Sequence, residues 1–135
     1  MKLLTVCLGN ICRSPAAEGI LADLAKQRGY FVELDSAGTA AYHVGSPPDS
    51  RSISALKKRN IDISQLTARQ VCPADFTYFD WILAMDKANL ADLQCLCPES
   101  MQYKVRLFSS FSPSQTNEDV ADPYYGDDTD FAHAV

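Results

Sequence analysis

The sequence predicts an α/β fold: an open, mainly parallel four-stranded sheet flanked by helices, with a phosphate-binding loop after the first strand. Three observations predict it. Short apolar runs of strand character recur at residues 2–6, 30–34, 81–85 and 104–108. Stretches of helical periodicity lie between them, opened by Ser or Asp residues that suit helix N-caps. The first three elements are strand, helix and strand within about 35 residues, a βαβ unit whose strands run parallel through a right-handed crossover.

Each element has a local reason. Lys2-Leu3-Leu4-Thr5-Val6 is a buried strand ended by a Gly-containing turn. Ser14-Pro15 is a helix start, with the hydroxyl as N-cap and proline at the first helical position, where no N–H is needed. Ala17, Ile20, Leu21 and Leu24 then repeat at helical spacing to about Arg28, and Gly29 stops the helix. Glu18 suits the positive end of its dipole. Tyr30-Phe31-Val32-Glu33-Leu34 forms the second strand, and Ser36-Ala37-Gly38-Thr39 ends it at the sheet edge that carries Cys7. Residues 38–49 form a long loop with Tyr42 and His43 at its tip. Asp49 or Ser50 caps a helix through Ile53 and Leu56 to about Asn60, and residues 73–78 form a short helical turn. Trp81 to Met85 is the third strand, Asp86 caps a helix bearing Leu90 and Leu93, and Lys104 to Phe108 is the fourth strand.

The chain has 135 residues, enough for one domain with a genuine core. It is 47% hydrophobic and 21% charged, as soluble globules are. A net charge of −5 without a basic run argues against nucleic acid as a partner. No apolar stretch approaches membrane length and no secretory leader opens the chain, so no membrane association is expected. Five cysteines, an odd number without framework spacing, indicate reduced thiols in a cytoplasmic protein.

The chemistry concentrates in Val6-Cys7-Leu8-Gly9-Asn10-Ile11-Cys12-Arg13-Ser14-Pro15. Cys7 stands at the end of a strand, and Arg13 at the mouth of the helix that follows. Gly9 and Asn10 tolerate left-handed backbone, so successive N–H groups can turn inward as an anion cradle at a helix N-terminus. Arg13 adds a fork of donors that grips two phosphate oxygens together. A cysteine in this setting favours its nucleophilic thiolate. Tyr42 is a candidate wall for an aromatic substrate, whereas His43 reads as an exposed loop residue. Asp122-Pro123-Tyr124-Tyr125-Gly126 is the second loaded stretch. Pro123 restricts Asp122, Tyr124 and Tyr125 add rigid walls, and Asp122 can serve as acid and then base if its loop reaches Cys7. Metal ligation is not expected: Cys7 and Cys12, or Cys95 and Cys97, lack paired ligand spacing, and both histidines lie elsewhere. Cys72, Cys95 and Cys97 read as plain thiols.

Taken together, the Cys7 loop, Asp35-Ser36-Ala37-Gly38-Thr39, Ala68-Arg69-Gln70, Met85-Asp86-Lys87-Ala88-Asn89-Leu90 and the Asp122 stretch resemble the low-molecular-weight protein tyrosine phosphatases, in the family's order along nearly the whole chain. The resemblance implies a cytoplasmic, metal- and cofactor-independent hydrolase acting on tyrosine-phosphorylated proteins, a tyrosine kinase among the candidates, and inhibited by phosphate and other oxyanions. Cys7, Arg13 and Asp122 would be catalytic. Leu8, Gly9, Asn10, Ile11, Cys12, Arg13 and Ser14 would bind phosphate, and Tyr42, Tyr124 and Tyr125 would line the substrate pocket. Ser14 would donate to the Cys7 sulfur, and Asn10 would pin the loop near Ser36 and Ser14. Cys12 would be a redox partner able to form a reversible disulfide with Cys7.

Two departures stand out. The family often has a histidine just before the Ala-Arg pair, tied into the Asn10-Ser36 network; Ser64-Gln65-Leu66-Thr67 supplies none, so a different network and a less rigid loop are expected. The family also closes with a long helix, whereas thirteen residues follow Asp122, so the single domain is expected to carry a truncated C-terminal helix. Three other functions compete. An arsenate reductase would need Cys95 and Cys97 as its relay. A protein arginine phosphatase typically has threonine where Ile11 stands. A non-enzymatic phosphate-binding or thiol-switch module would keep its function without Asp122.

Overall fold

The computed structural model describes residues 1–108. Its strands are β1 (Lys2–Cys7), β2 (Glu33–Gly38), β3 (Trp81–Ala84) and β4 (Val105–Leu107). Its helices are α1 (Arg13–Gln27), α2 (Ser50–Lys57), α3 (Pro73–Tyr78) and α4 (Lys87–Leu96), with a 3-10 segment at Glu99–Lys104 before β4. The strands order as β2-β1-β3-β4 and every pair is parallel. The expected four-stranded α/β sheet is therefore present. The C-terminal helix expected after Asp122 lies outside the described residues.

Alternation along the strands divides the core. Leu4 and Val6 of β1, Ile82 and Ala84 of β3, and Val105 and Leu107 of β4 pack with Phe76 of α3 and Leu93 of α4. On the other side Cys7, Ala17, Leu83 and Met85 pack together, and Ala16, Leu56 and Ile63 join α1 to α2. Both faces of the sheet are covered, as parallel sheets require.

Several element boundaries differ from the sequence reading by one or more residues, and two of the differences have a clear physical reason. The second strand begins at Glu33, because its register pairs Lys2 with Glu33 and Cys7 with Gly38. Tyr30 and Phe31 stand outside it, with Phe31 96% exposed. Apolar composition alone misplaced that strand. The first helix begins at Arg13 with Cys12 in the cap position and no side-chain cap. Pro15 still falls within the first turn, where a missing N–H costs no helical bond. Ser14 does not cap the helix, because its hydroxyl is engaged by Cys7 and Asn10.

This register sets the β1 loop against the β2 loop. The N–H of Thr39 donates to the Cys7 carbonyl at 2.9 Å, and that of Ala40 to the Leu8 carbonyl at 3.0 Å. Gly38 stands where this crossing is tightest. A Cβ there would lie 2.7 Å from the Leu8 carbonyl oxygen and 3.0 Å from that of Ala40, both backbone atoms. Gly38→Ala should therefore destabilise the fold by about 1–3 kcal/mol and shift the Cys7 loop. Chemical denaturation checks this, and an unchanged midpoint would show that the two loops are not in contact.

Candidate active site

The loop from Cys7 to Arg13 is held by its carbonyl groups. The Cys7 and Leu8 carbonyls accept from Thr39 and Ala40, the Ile11 carbonyl from the Asp49 N–H at 2.5 Å, and the Cys12 carbonyl from the Ala16 N–H inside α1. In a trans peptide the N–H points opposite to its carbonyl. With these four carbonyls turned outward or down the helix, the amides of Leu8, Gly9, Cys12 and Arg13 face the hollow of the loop. That is an anion cradle at a helix N-terminus.

Asn10 is the pin. It is buried, with φ at 58°, the left-handed region that asparagine tolerates. Its Nδ2 donates to Ser14 Oγ at 2.8 Å and to Ser36 Oγ at 2.9 Å, while its Oδ1 accepts the Arg69 N–H at 2.9 Å. The Asn10–Ser36 network thus closes without a histidine just before Ala68, with the Arg69 backbone N–H donating to the amide oxygen. Gly9 does not adopt positive φ. Its smallness serves a different end: a Cβ there would lie 2.9 Å from Cδ2 of His43, whose ring sits against the loop. His43 is thus half-buried on the site rather than exposed at a loop tip.

Cys7 is buried, and its sulfur accepts the Asn10 N–H at 3.2 Å and lies 3.0 Å from Ser14 Oγ. Asn10 donates to that oxygen, and the Ser14 hydroxyl has the Ala37 carbonyl, at 3.5 Å, as a second acceptor beside the sulfur. The sulfur is thus flanked by a backbone donor and a hydroxyl. Arg13 is also buried, and its Nη1 donates to Asp86 Oδ2 at 2.8 Å. Asp86 uses its other oxygen to cap α4 through the Asn89 N–H at 2.7 Å. The helix cap was legible in the sequence; its second task was not, because 73 residues separate Asp86 from Arg13.

Cys12 is buried at the start of α1 and is not in a disulfide. Leu8 and Tyr42 stand at 48% and 76% exposure, able to meet a ligand from outside. Asp122, Tyr124 and Tyr125 lie outside the described residues. Among the described residues no cluster of His, Cys, Asp or Glu is suited to a metal ion, and no helix is long and apolar enough to cross a membrane.

Glu18 lies beyond the first turn of α1, which begins at Arg13, so the dipole contact expected from the sequence is not made; its environment matters for another reason. Its Oε1 is buried without a hydrogen-bond partner. Burial raises its carboxyl to about 7; the Ser36 hydroxyl opposes the rise, Asp35 adds to it and Arg69 opposes it. Between about 4.5 and 7 the folded chain keeps a proton that the unfolded chain has lost. Stability is therefore greater at the acid end and falls as pH rises through that window. Glu18→Gln should flatten this part of the curve and melt higher than wild type at about pH 8. Thermal melts across the range check it; parallel curves for the two proteins would contradict the assignment.

Comparison with known proteins agrees with this geometry. Residues 2–135 match the family model described as low molecular weight phosphotyrosine protein phosphatase. The human protein of that name is 42% identical over 134 residues, covering 96% of this chain and 84% of its own length. The Schizosaccharomyces pombe protein of that name is 42% identical over 129 residues, covering 93% and 82%. A crystal structure of a protein tyrosine phosphatase from Entamoeba histolytica, with Hepes in the active site, superposes with a TM-score of 0.94 at 40% identity, covering 99% of this chain and 86% of that one.

Proposed function

This chain belongs to the low molecular weight phosphotyrosine protein phosphatase family, and we propose that it hydrolyses phosphotyrosine on proteins through a phosphocysteine at Cys7. The observation that carries the reading is the sulfur of Cys7, held between the Asn10 N–H and the Ser14 hydroxyl at the rim of a ring of inward amides.

The thiolate attacks phosphorus, forming the S–P bond as the bond to the tyrosyl oxygen breaks. Asp122 gives that oxygen its proton. Water then attacks phosphorus and passes a proton to Asp122, and the S–P bond breaks to return the thiolate. Charge on the three equatorial oxygens is met by the loop amides from Leu8 to Arg13 and by the Arg13 guanidinium. Asp86 fixes that guanidinium before the substrate arrives. The Ser14 hydroxyl steadies sulfur both as nucleophile and as leaving group. Tyr42, Tyr124 and Tyr125 receive the aromatic ring, phosphate and related oxyanions compete for the loop, and tyrosine-phosphorylated proteins, tyrosine kinases included, are the substrates.

A relay of cysteines, as arsenate reduction requires, finds little support. Cys97 is buried, and burial pushes its thiol up, away from the thiolate that a relay uses.

Hydrolysis of para-nitrophenyl phosphate without added metal tests the reading. Cys7→Ser should abolish turnover, and Asp122→Ala should lower kcat by about 100-fold or more while phosphate still binds. Turnover that survives Cys7→Ser would sink the mechanism, and full turnover in Asp122→Ala would remove Asp122 from it.

A further inference from the structure

Glu18 is a half-buried acid with one fully buried carboxyl oxygen, for which the phosphocysteine route has no use. It lies on α1 behind the loop, and a short polar chain joins it to the sulfur. Its carboxyl interacts with the Ser36 hydroxyl. The Ser36 oxygen accepts from Asn10 Nδ2 at 2.9 Å, Asn10 Nδ2 also donates to Ser14 Oγ at 2.8 Å, and Ser14 Oγ meets Cys7 Sγ at 3.0 Å.

The charges around Glu18 do not neutralise it. Asp35 on β2 and Arg69 in the segment before α3 act on it from the neighbouring elements. The Arg69 guanidinium is shared between Asp35 at 3.1 Å and both oxygens of Asp75 at 3.0 Å, so two carboxylates already balance its one charge. The residues that β1 and α2 bury against α1, Thr5 and Leu56, are neutral. Residues 64–67 are Ser, Gln, Leu and Thr, and bring no cation. The unpartnered Oε1 marks the result, a carboxyl whose ionised form is poorly compensated just behind a site built for a dianion.

We propose that Glu18 is a proton-binding site coupled to the oxyanion loop: its neutral form admits a dianion there, and its carboxylate opposes one. The proposal rests on reading the Cys7 loop as the oxyanion site. Like charges a few side chains apart in a protein interior repel strongly enough to alter affinity several-fold. Linkage makes the effect reciprocal, so that binding an anion near neutral pH draws a proton onto Glu18.

Sulfate is the probe, because it remains a dianion throughout the range and no change in its own charge intrudes. Titration calorimetry on the full chain at constant ionic strength, from about pH 5.5 to 8.5, reads both affinity and proton uptake. Wild type should bind sulfate roughly three- to tenfold more weakly above the Glu18 transition than below it, taking up protons near its midpoint. Glu18→Gln should lose that step and that uptake. Ser36→Ala should move the step to higher pH, since the Ser36 hydroxyl stabilises the carboxylate and opposes the rise of its pKa. An unchanged step in Glu18→Gln would overturn the coupling. Failure of wild type to bind sulfate at any pH would overturn the oxyanion-loop reading itself, and the coupling with it.

Discussion

Three hydrogen bonds from one side chain hold this site in shape. Asn10 sits in a backbone conformation that most residues avoid, and its amide reaches α1 through Ser14, β2 through Ser36 and the segment before α3 through the Arg69 N–H. Every donor and the acceptor of that amide is used. A buried amide left unpaired would cost about 1–3 kcal/mol, so the three elements and the loop are specified together. The same bond to Ser14 holds in place the hydroxyl that lies 3.0 Å from the sulfur of Cys7.

A second constraint acts through Asp86. One carboxylate starts α4 and fixes Arg13, so the geometry of the anion site is tied to the packing of a helix on the far face of the sheet. Ser14, Ser36, Asn10 and Arg13 are all buried around the loop. Such a polar core is tolerable because its members satisfy one another. Glu18 differs from them in being an acid with one buried, unpartnered oxygen, and there stability and pH become coupled.

The sheet was legible in the sequence because strands, helix caps and the βαβ order are local signals. Asp49 and Asp86 cap the helices that their positions implied. Tyr30 and Phe31 misled because aromatic content says nothing of register, and register with β1 placed the strand at Glu33. Ser14 misled as a cap because a hydroxyl has several uses, and the thiol competed for it. The buried thiol, the loop and the guanidinium could be read from Cys7 to Arg13 as one contiguous motif. The Arg13–Asp86 pair, the seat of His43 on Gly9 and the orphaned Glu18 join distant segments, and no spacing rule reveals them. One trace was present: residues 64–67 lack a histidine, which foretold a network completed in another way.

The most direct measurement of this account is sulfate protection of Cys7 in Asn10→Ala. Alkylation of Cys7 by iodoacetamide is followed by mass spectrometry at increasing sulfate, with circular dichroism confirming the fold. The account predicts that the variant remains folded, melts lower by the equivalent of about 1–3 kcal/mol, and needs at least about tenfold more sulfate for the same protection. Protection at the wild-type sulfate concentration would contradict the claim that the Asn10 side chain shapes the site.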